Sequence, residues 1–266
     1  MAPPAMPRAV PFVGRASELA ALAARFDQGT RLVTLLGPGG IGKTALAVEH
    51  ALRRVASGDR TSSVFCDLAA ARDLAGMVDA MAVACGADAG RGADAARAVG
   101  AALRACGEVV VVIDNADGLA EHALATVGAW LEAAPEAELL VTSRDRLGLV
   151  AEVVIEVGPL DDAVALLLAS AAKGGGALEL RPEDRVAAGA IVALLEGMPL
   201  AVEIAGARLP LLGAALLLER LRTSAEGLRR DARGGPARHC SLDAAVQGSF
   251  DALAPHQRSV LAQLTV

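Results

Sequence analysis

An α/β fold with a parallel sheet covered by helices is predicted by three features of residues 16–157. Short apolar runs that suit buried strands alternate with segments whose apolar residues recur at helical spacing. One run, Glu108 to Asp114, is apolar throughout its interior, as expected of a central strand buried on both faces. The composition agrees, because 54% of the residues are apolar and only 2% are aromatic, so the core must consist of small aliphatic side chains.

Five strands and several helices follow from this pattern. The strands are predicted at residues 31–36, 63–68, 108–114, 138–143 and 152–157. Helices are predicted at residues 16–26, 44–55, 94–106 and 119–133, and in an Ala-rich region that places Leu74, Met77, Val78 and Met81 on one face. Beyond residue 158 the strand pattern stops, and helices are predicted at 161–173, 182–195, 200–209 and 212–222. We therefore expect a domain boundary near Gly158.

A glycine-rich loop follows the first predicted strand and leads into a helix. Its sequence, Gly37-Pro38-Gly39-Gly40-Ile41-Gly42-Lys43-Thr44, matches the pattern Gly-x-x-x-x-Gly-Lys-Thr. The glycines allow backbone amides to turn inward around a phosphate chain at the positive end of the helix. This predicts a P-loop NTPase whose loop, together with Ala45, binds ATP or ADP. The alternative is an incidental glycine-rich turn.

Two side chains of this loop have distinct predicted roles. Lys43 is expected to reach the β and γ phosphates, and the Thr44 hydroxyl is expected to ligate Mg²⁺. Only two of the 25 basic residues, Lys43 and Lys173, are lysine. A lysine in so arginine-rich a sequence suits a place where a compact point charge must fit among phosphates.

Asp114 ends the most apolar strand, at the edge where open α/β sheets form their active sites. A carboxylate there can hold Mg²⁺ through water, which predicts the Walker B role, although an acid at a strand end is often merely solvated. The following residue, Asn115, cannot act as a base. Asp117, in the next turn, is therefore the candidate catalytic base.

Arg144 follows another predicted strand, in the segment Thr142-Ser143-Arg144. An arginine at this position is a candidate sensor of the γ-phosphate. The alternative is a surface arginine that pairs with Asp145 or with a neighbouring helix.

The order of these motifs resembles the NB-ARC or AP-ATPase group of STAND nucleotide-switch proteins, closest to its bacterial regulators. The resemblance spans nearly the whole chain. It depends on Phe12-Val13-Gly14-Arg15, the glycine-rich loop, Val111-Val112-Ile113-Asp114-Asn115, Thr142-Ser143-Arg144 and Gly197-Met198-Pro199-Leu200-Ala201.

The resemblance implies further contacts with the nucleotide. Val13 would bind the adenine through its backbone, and Arg15 would lie close to the nucleotide pocket. Pro199 would pack against the base from the helical domain and couple the nucleotide state to the angle between the domains. From the residues alone, Gly197 and Pro199 are also ordinary punctuation between two helices. Many members of the group carry an acid where Asn115 stands, so hydrolysis is expected to be slow or to depend on Asp117.

The expected domain organisation has five parts. They are an N-terminal segment with the adenine-contacting motif (1–15), a P-loop nucleotide-binding domain (16–157), a small helical domain (158–228), a linker (229–239) and the incomplete start of a winged-helix domain (240–266).

The leading functional hypothesis is an ATP/ADP switch in a signalling or transcriptional regulator, with slow hydrolysis or exchange that drives domain rearrangement and oligomerisation. The alternative is an interaction scaffold that keeps ADP as a structural cofactor and does not hydrolyse ATP. A small-molecule kinase is disfavoured, since the sequence shows neither a lid nor an acceptor pocket.

Partners other than the nucleotide are expected to bind through domains outside this chain, as self-association or as a signalling contact. The net charge of −6 argues against a surface that neutralises nucleic-acid phosphates. A basic stretch surrounds the second linker, but a solvated linker is favoured there over DNA binding; it comprises Arg220, Arg222, Arg229, Arg230, Arg233 and Arg238. The start lacks a secretory signal and the longest apolar run is too short for a membrane span, so a cytoplasmic location without membrane contact is expected.

Overall fold

Five parallel strands form one sheet in the computed structural model, which describes residues 12–87, 95–172 and 182–231. The strands are β1 (Leu32–Leu36), β2 (Ser62–Asp67), β3 (Val109–Asp114), β4 (Glu138–Ser143) and β5 (Glu152–Glu156). Their order across the sheet is β2-β3-β4-β1-β5, and all four pairings are parallel. The predicted fold class, a parallel sheet covered by helices, is confirmed.

Helices cover both faces of this sheet. They are α1 (Ala16–Asp27), α2 (Lys43–Ala56), α3 (Leu74–Cys85), α4 (Ala95–Ala105) and α5 (Ala129–Ala133). Because strand side chains alternate between faces, Val109, Val111 and Ile113 pack with α3, α4 and α5, whereas Val110 and Val112 pack with α1 and α2. Every residue of β3 is buried, as expected of a strand covered on both sides.

One predicted helix differs in the structure. Instead of a regular helix over 119–133, the chain forms a 3₁₀ turn (Ala120–His122), a π-helical turn (Leu124–Gly128) and the short α5. The Thr126 hydroxyl donates to the His122 carbonyl oxygen at 2.8 Å, and so competes with the backbone N–H that a regular helix would place there. Leu74 also departs from its predicted buried face, since it is exposed at the start of α3.

The chain divides into two compact units, Met1–Gly158 and Pro159–Val266. The described part of the second unit is helical: α6 (Ala163–Ala172), α7 (Pro182–Leu194), α8 (Pro199–Gly206), α9 (Leu209–Leu212) and α10 (Ala214–Asp231). Helix α10 continues to Asp231, into the segment predicted as a linker from residue 229. The rest of that linker and the predicted winged-helix segment lie outside the described residues. Among the described helices, none has the length and apolar character needed to cross a membrane.

The parallel arrangement brings the ends of four strands together along what we call the carboxyl edge of the sheet. In the register of the sheet, Asp67 at the end of β2 pairs with Asp114 at the end of β3, and Ser143 at the end of β4 pairs with Leu36 at the end of β1. The glycine-rich loop leaves β1 at this edge. The polar residues that end the strands are thereby collected beside the loop.

Candidate functional site

The glycine-rich loop joins the end of β1 to the start of α2. The Gly37 amide donates to the Ser143 carbonyl oxygen at 3.3 Å, which fixes the base of the loop to β4. A Cβ at Gly37 would lie 2.9 Å from the Val157 carbonyl oxygen, so only glycine fits there. Gly40 and Gly42 have φ angles of 75° and 93°, in the left-handed region that favours glycine. Gly39 is exposed, and a Cβ there would meet no atom within 4 Å.

Lys43 is the first residue of α2, and its side chain folds over the loop. The Nζ atom donates to the carbonyl oxygens of Gly37 and Pro38, at 2.8 and 3.1 Å. Burial lowers the pKa of Lys43, whereas the nearby charges of Asp117 and Asp114 raise it. The ammonium is therefore held above the main chain that is predicted to surround the phosphates.

Asp114 is 4% exposed and is held by two hydroxyl groups. The Oδ1 atom accepts from Thr44 Oγ1 at 2.8 Å and from Thr142 Oγ1 at 2.5 Å. Burial raises the pKa of Asp114, while the hydrogen bonds from Thr142 and Thr44 lower it. Within the described residues this carboxylate forms no ion pair.

The predicted metal site can be tested against this arrangement. Mg²⁺ prefers oxygen ligands and usually keeps several waters, with one or two protein carboxylates nearby. The Thr44 hydroxyl and the Asp114 carboxylate offer such oxygens within 2.8 Å of each other, and the buried carboxylate lacks a cationic partner among the described residues. The residues present therefore fit a magnesium ion.

Asn115 links the carboxylates that end β2 and β3. Its backbone is left-handed, with φ of 60°. The Nδ2 atom donates to Asp67 Oδ1 at 3.0 Å and to Asp114 Oδ2 at 3.2 Å. The Asn115 backbone N–H donates to Thr142 Oγ1 at 3.1 Å, so the residue joins the ends of the neighbouring strands β2, β3 and β4.

Arg144 and Asp117 are paired with each other. Both Asp117 oxygens are used: Oδ1 accepts from the Arg144 backbone N–H at 2.6 Å, and Oδ2 accepts from Arg144 Nε at 2.8 Å. The Arg144 side chain is 62% exposed and that of Asp117 is 28% exposed. Arg144, the candidate sensor, thus pairs with Asp117, the candidate base, at the carboxyl edge. Its partner is not Asp145, which the sequence had suggested.

Arg15 is buried, and its guanidinium contacts main-chain atoms near the loop. The Nη2 atom donates to the Ile41 carbonyl oxygen at 2.7 Å and to the Gly158 carbonyl oxygen at 2.9 Å, while Nη1 pairs with Glu18 at 2.7 Å. The structure therefore brings Arg15 to the loop through the backbone of Ile41. Val13 lies two residues before it and is half-buried.

The other predicted binding residues belong to two different parts of the chain. Ala45 is half-buried in the first turn of α2. Pro199 is buried at the first position of α8, in the second unit, where proline suits the start of a helix. Gly197, two residues earlier, has a φ of 62° and lies in the connection between α7 and α8.

Two residues of this cluster were not singled out from the sequence. Thr142 contacts both Asp114 and Asn115 through its hydroxyl, and Asp67 contacts Asn115. The signal that identified Asp114, a polar residue at the end of an apolar strand, also applies to both. Their contacts with one another depend on the strand order, which the sequence pattern does not define.

Residues 11–142 match the family model of the AAA ATPase domain. An uncharacterized protein of Mycobacterium tuberculosis is 30% identical over 258 residues, which cover 96% of this chain and 65% of that protein. A second protein of that organism, provisionally named an HTH-type transcriptional regulator, is 30% identical over 250 residues, covering 88% of this chain and 26% of the relative. The chain thus spans 65% of the length of the first relative and a smaller share of the second.

Solved structures share the fold at low sequence identity. A Walker-type ATPase of Pyrococcus abyssi aligns with a TM-score of 0.54 and 16% identity, over 83% of this chain and 77% of its own. The ORC2 protein of Aeropyrum pernix, in its ADPNP and ADP complexes, aligns with a TM-score of 0.52 and 16% identity, over 94% of this chain and 72% of its own. These alignments show the shared fold, and the domain match spans the glycine-rich loop and Asp114, which supports the predicted nucleotide binding.

Proposed function

We propose that this chain is the nucleotide-binding part of a regulator, in which ATP and ADP act as alternative ligands of a molecular switch. The observation that carries the proposal is a 2.8 Å contact between Thr44, which ends the glycine-rich loop, and the buried Asp114, which ends β3. A hydroxyl and a carboxylate at this distance suit a Mg²⁺ ion that accompanies a triphosphate.

Most of the predicted site residues have a role in this proposal. The backbone N–H groups of residues 39–44 surround the phosphates, and Lys43 neutralises the charge of the β and γ phosphates. Thr44 and Asp114 hold Mg²⁺, which supplies further charge neutralisation when bound. Arg144 reports the presence of the γ-phosphate, because exchanging Asp117 for a phosphate oxygen would change its pairing.

The regulatory part of the proposal is supported by the NB-ARC resemblance and by the name of one mycobacterial relative. Differential contacts with the γ-phosphate would supply the free energy that distinguishes the ATP state from the ADP state. We propose that Val13, Arg15 and Pro199 respond to the bound nucleotide, with Arg15 acting through Ile41. Oligomerisation and the signalling output are part of the same hypothesis.

Nucleotide affinity tests the proposal directly. Lys43→Ala removes the ammonium over the loop and is expected to weaken ATP binding about tenfold or more, the effect of a lost charge-assisted hydrogen bond. Titration with a fluorescent ATP analogue in Mg²⁺ measures this. Arg53→Ala, which removes a cation from the exposed face of the same helix, is the matched control and should bind normally. Equal affinity of the wild type and Lys43→Ala, or no affinity in either, would contradict the proposal.

A non-hydrolysing scaffold with structural ADP is the second candidate. It is favoured by Asn115, which cannot act as a base, and by Asp117, whose two oxygens both accept hydrogen bonds from Arg144. The two candidates differ in turnover. Nucleotide that copurifies as ADP, combined with no phosphate release from added ATP, would favour the scaffold, whereas slow but measurable release would favour the switch.

A further inference from the structure

Asp67 ends β2 in the same register as Asp114 ends β3, so the two carboxylates lie at the same edge of neighbouring parallel strands. The Asp67 Oδ1 atom accepts from the Ala69 backbone N–H at 2.9 Å and from Asn115 Nδ2 at 3.0 Å. Within the described residues its second oxygen, Oδ2, accepts no hydrogen bond, and the side chain is exposed. One oxygen is therefore anchored, and the other is available to a ligand.

Asn115 explains how two carboxylates can approach each other here. Its Nδ2 group donates one hydrogen bond to each, at 3.0 and 3.2 Å. An acid at position 115 would instead place a third negative charge beside Asp67 and Asp114, which repulsion disfavours. The Asn115 side-chain amide is thus suited to holding a carboxylate from β2, the neighbouring strand in the sheet.

Asp117 is held in a different contact. Both of its oxygens receive hydrogen bonds from Arg144. Asp67 has no cationic partner within the described residues and keeps one oxygen open.

We propose that Asp67 is the catalytic carboxylate of ATP hydrolysis in this chain and that Asn115 is the residue that positions it. The inference rests on the proposed function. The oxygen of a water molecule bonds to the γ-phosphorus while the bond from that phosphorus to the bridging oxygen breaks, and the electron pair stays on ADP. The proton of the water passes to Asp67 Oδ2 and is then released to solvent. Inorganic phosphate and ADP are the products.

The test separates the charge of Asp67 from its structural contacts. Asp67→Asn keeps an oxygen that can accept from Ala69 and Asn115 but removes the carboxylate. We expect this variant to bind ATP within about twofold of the wild type and to release phosphate about 100-fold more slowly in a single turnover, the usual effect of losing a general base. Affinity is measured by titration with a fluorescent ATP analogue, and hydrolysis by quenched-flow analysis of bound ATP. Asp79→Asn, on an exposed position of α3, is the matched control and should match the wild type in both measurements.

An exchange variant tests the pairing with Asn115. Asp67→Asn combined with Asn115→Asp restores one carboxylate and one amide in swapped positions. We expect this double variant to release phosphate at least tenfold faster than Asp67→Asn alone. A merely structural role of Asp67 predicts no such recovery.

Other outcomes would overturn the inference. These are a wild-type rate in Asp67→Asn, a parallel loss of affinity and rate in that variant, loss of turnover in Asp117→Asn but not in Asp67→Asn, and bound ATP that the wild type never hydrolyses. Failure of the wild type to bind ATP would instead contradict the proposed function itself.

Discussion

Asp114 illustrates a conflict between binding and stability at the scale of a single residue. Burial raises the pKa of its carboxyl group, because the folded protein solvates the charge less well than water does. The same charge is what a metal ion requires. We therefore expect Asp114→Asn to weaken ATP binding in Mg²⁺ about tenfold or more, without lowering the unfolding temperature.

Two measurements check this prediction. Calorimetric titration with ATP in Mg²⁺ and in EDTA should show that the loss of affinity is confined to the metal-containing buffer, and thermal unfolding should show equal or higher stability. Asp79→Asn serves again as a matched removal of one carboxylate. A variant that unfolds at a clearly lower temperature would show that Asp114 is mainly a structural residue.

At the scale of elements, His50 connects the packing of α1 and α2 to pH. Its ring stacks on Phe26 with the centroids 5.3 Å apart, and it is 2% exposed. Burial, with a smaller contribution from the Arg54 charge, lowers the pKa of His50 from 6.5 to about 4, although Glu138 and Asp27 oppose this shift. Between these values the unfolded chain binds a proton that the folded chain does not, so stability falls as the pH drops from 6.5 to about 4.

The predicted contribution of His50 over this interval is about 3 kcal/mol. His50→Leu keeps an apolar contact with Phe26 and removes the titrating group. Urea unfolding of both proteins at several pH values should therefore show a shallower acid dependence in the variant. The same slope in both proteins would show that His50 does not control the acid sensitivity.

The close approach of α6 and α8 gives a second prediction at this scale. A Cβ at Gly206 would lie 2.6 Å from the Leu167 carbonyl oxygen and 2.7 Å from Ser170 Cβ. Since the backbone of α6 cannot yield, Gly206→Ala should destabilise the second unit by about 1–3 kcal/mol. Gly189→Ala, in α7 with no atom within 4 Å of the added Cβ, should instead stabilise by about 0.5–1 kcal/mol. Thermal unfolding distinguishes the two, and equal effects would contradict the packing argument.

How much was predictable depends on how local the determinants are. The positions of Lys43, Thr44 and Asp114 follow from a contiguous motif and an apolar strand, and all five strands were predicted within a residue or two. The contacts of Asp67 and Thr142 were not predicted, because they require the order β2-β3-β4. The irregular 119–133 segment was missed for another reason, since the side-chain bond of Thr126 competes with a helix pattern that its sequence otherwise satisfies.

At the scale of the whole molecule, the first unit contains every described residue of the glycine-rich loop and its carboxylates. A chain of residues 1–162 is therefore expected to fold and to bind ATP in Mg²⁺. A chain of residues 1–156 should be much less stable, because it lacks two hydrogen bonds. The Val157 backbone N–H donates to the Leu36 carbonyl oxygen, and the Gly158 carbonyl oxygen accepts from the Arg15 guanidinium. Circular dichroism and nucleotide titration of both chains check this. If residues 1–162 bind ATP as tightly as the full chain, Pro199 contributes nothing to affinity.

Three consecutive residues at the end of β4 touch separate parts of the site. The Ser143 carbonyl holds Gly37, the Thr142 hydroxyl holds Asp114, and Arg144 holds Asp117. A sideways movement of this strand end would therefore disturb the loop, the proposed metal ligand Asp114 and the exposed ion pair together. When substitutions at Gly37, Asp114 and Asp117 are combined in pairs, their effects on stability should not simply add, even where the two residues do not touch each other.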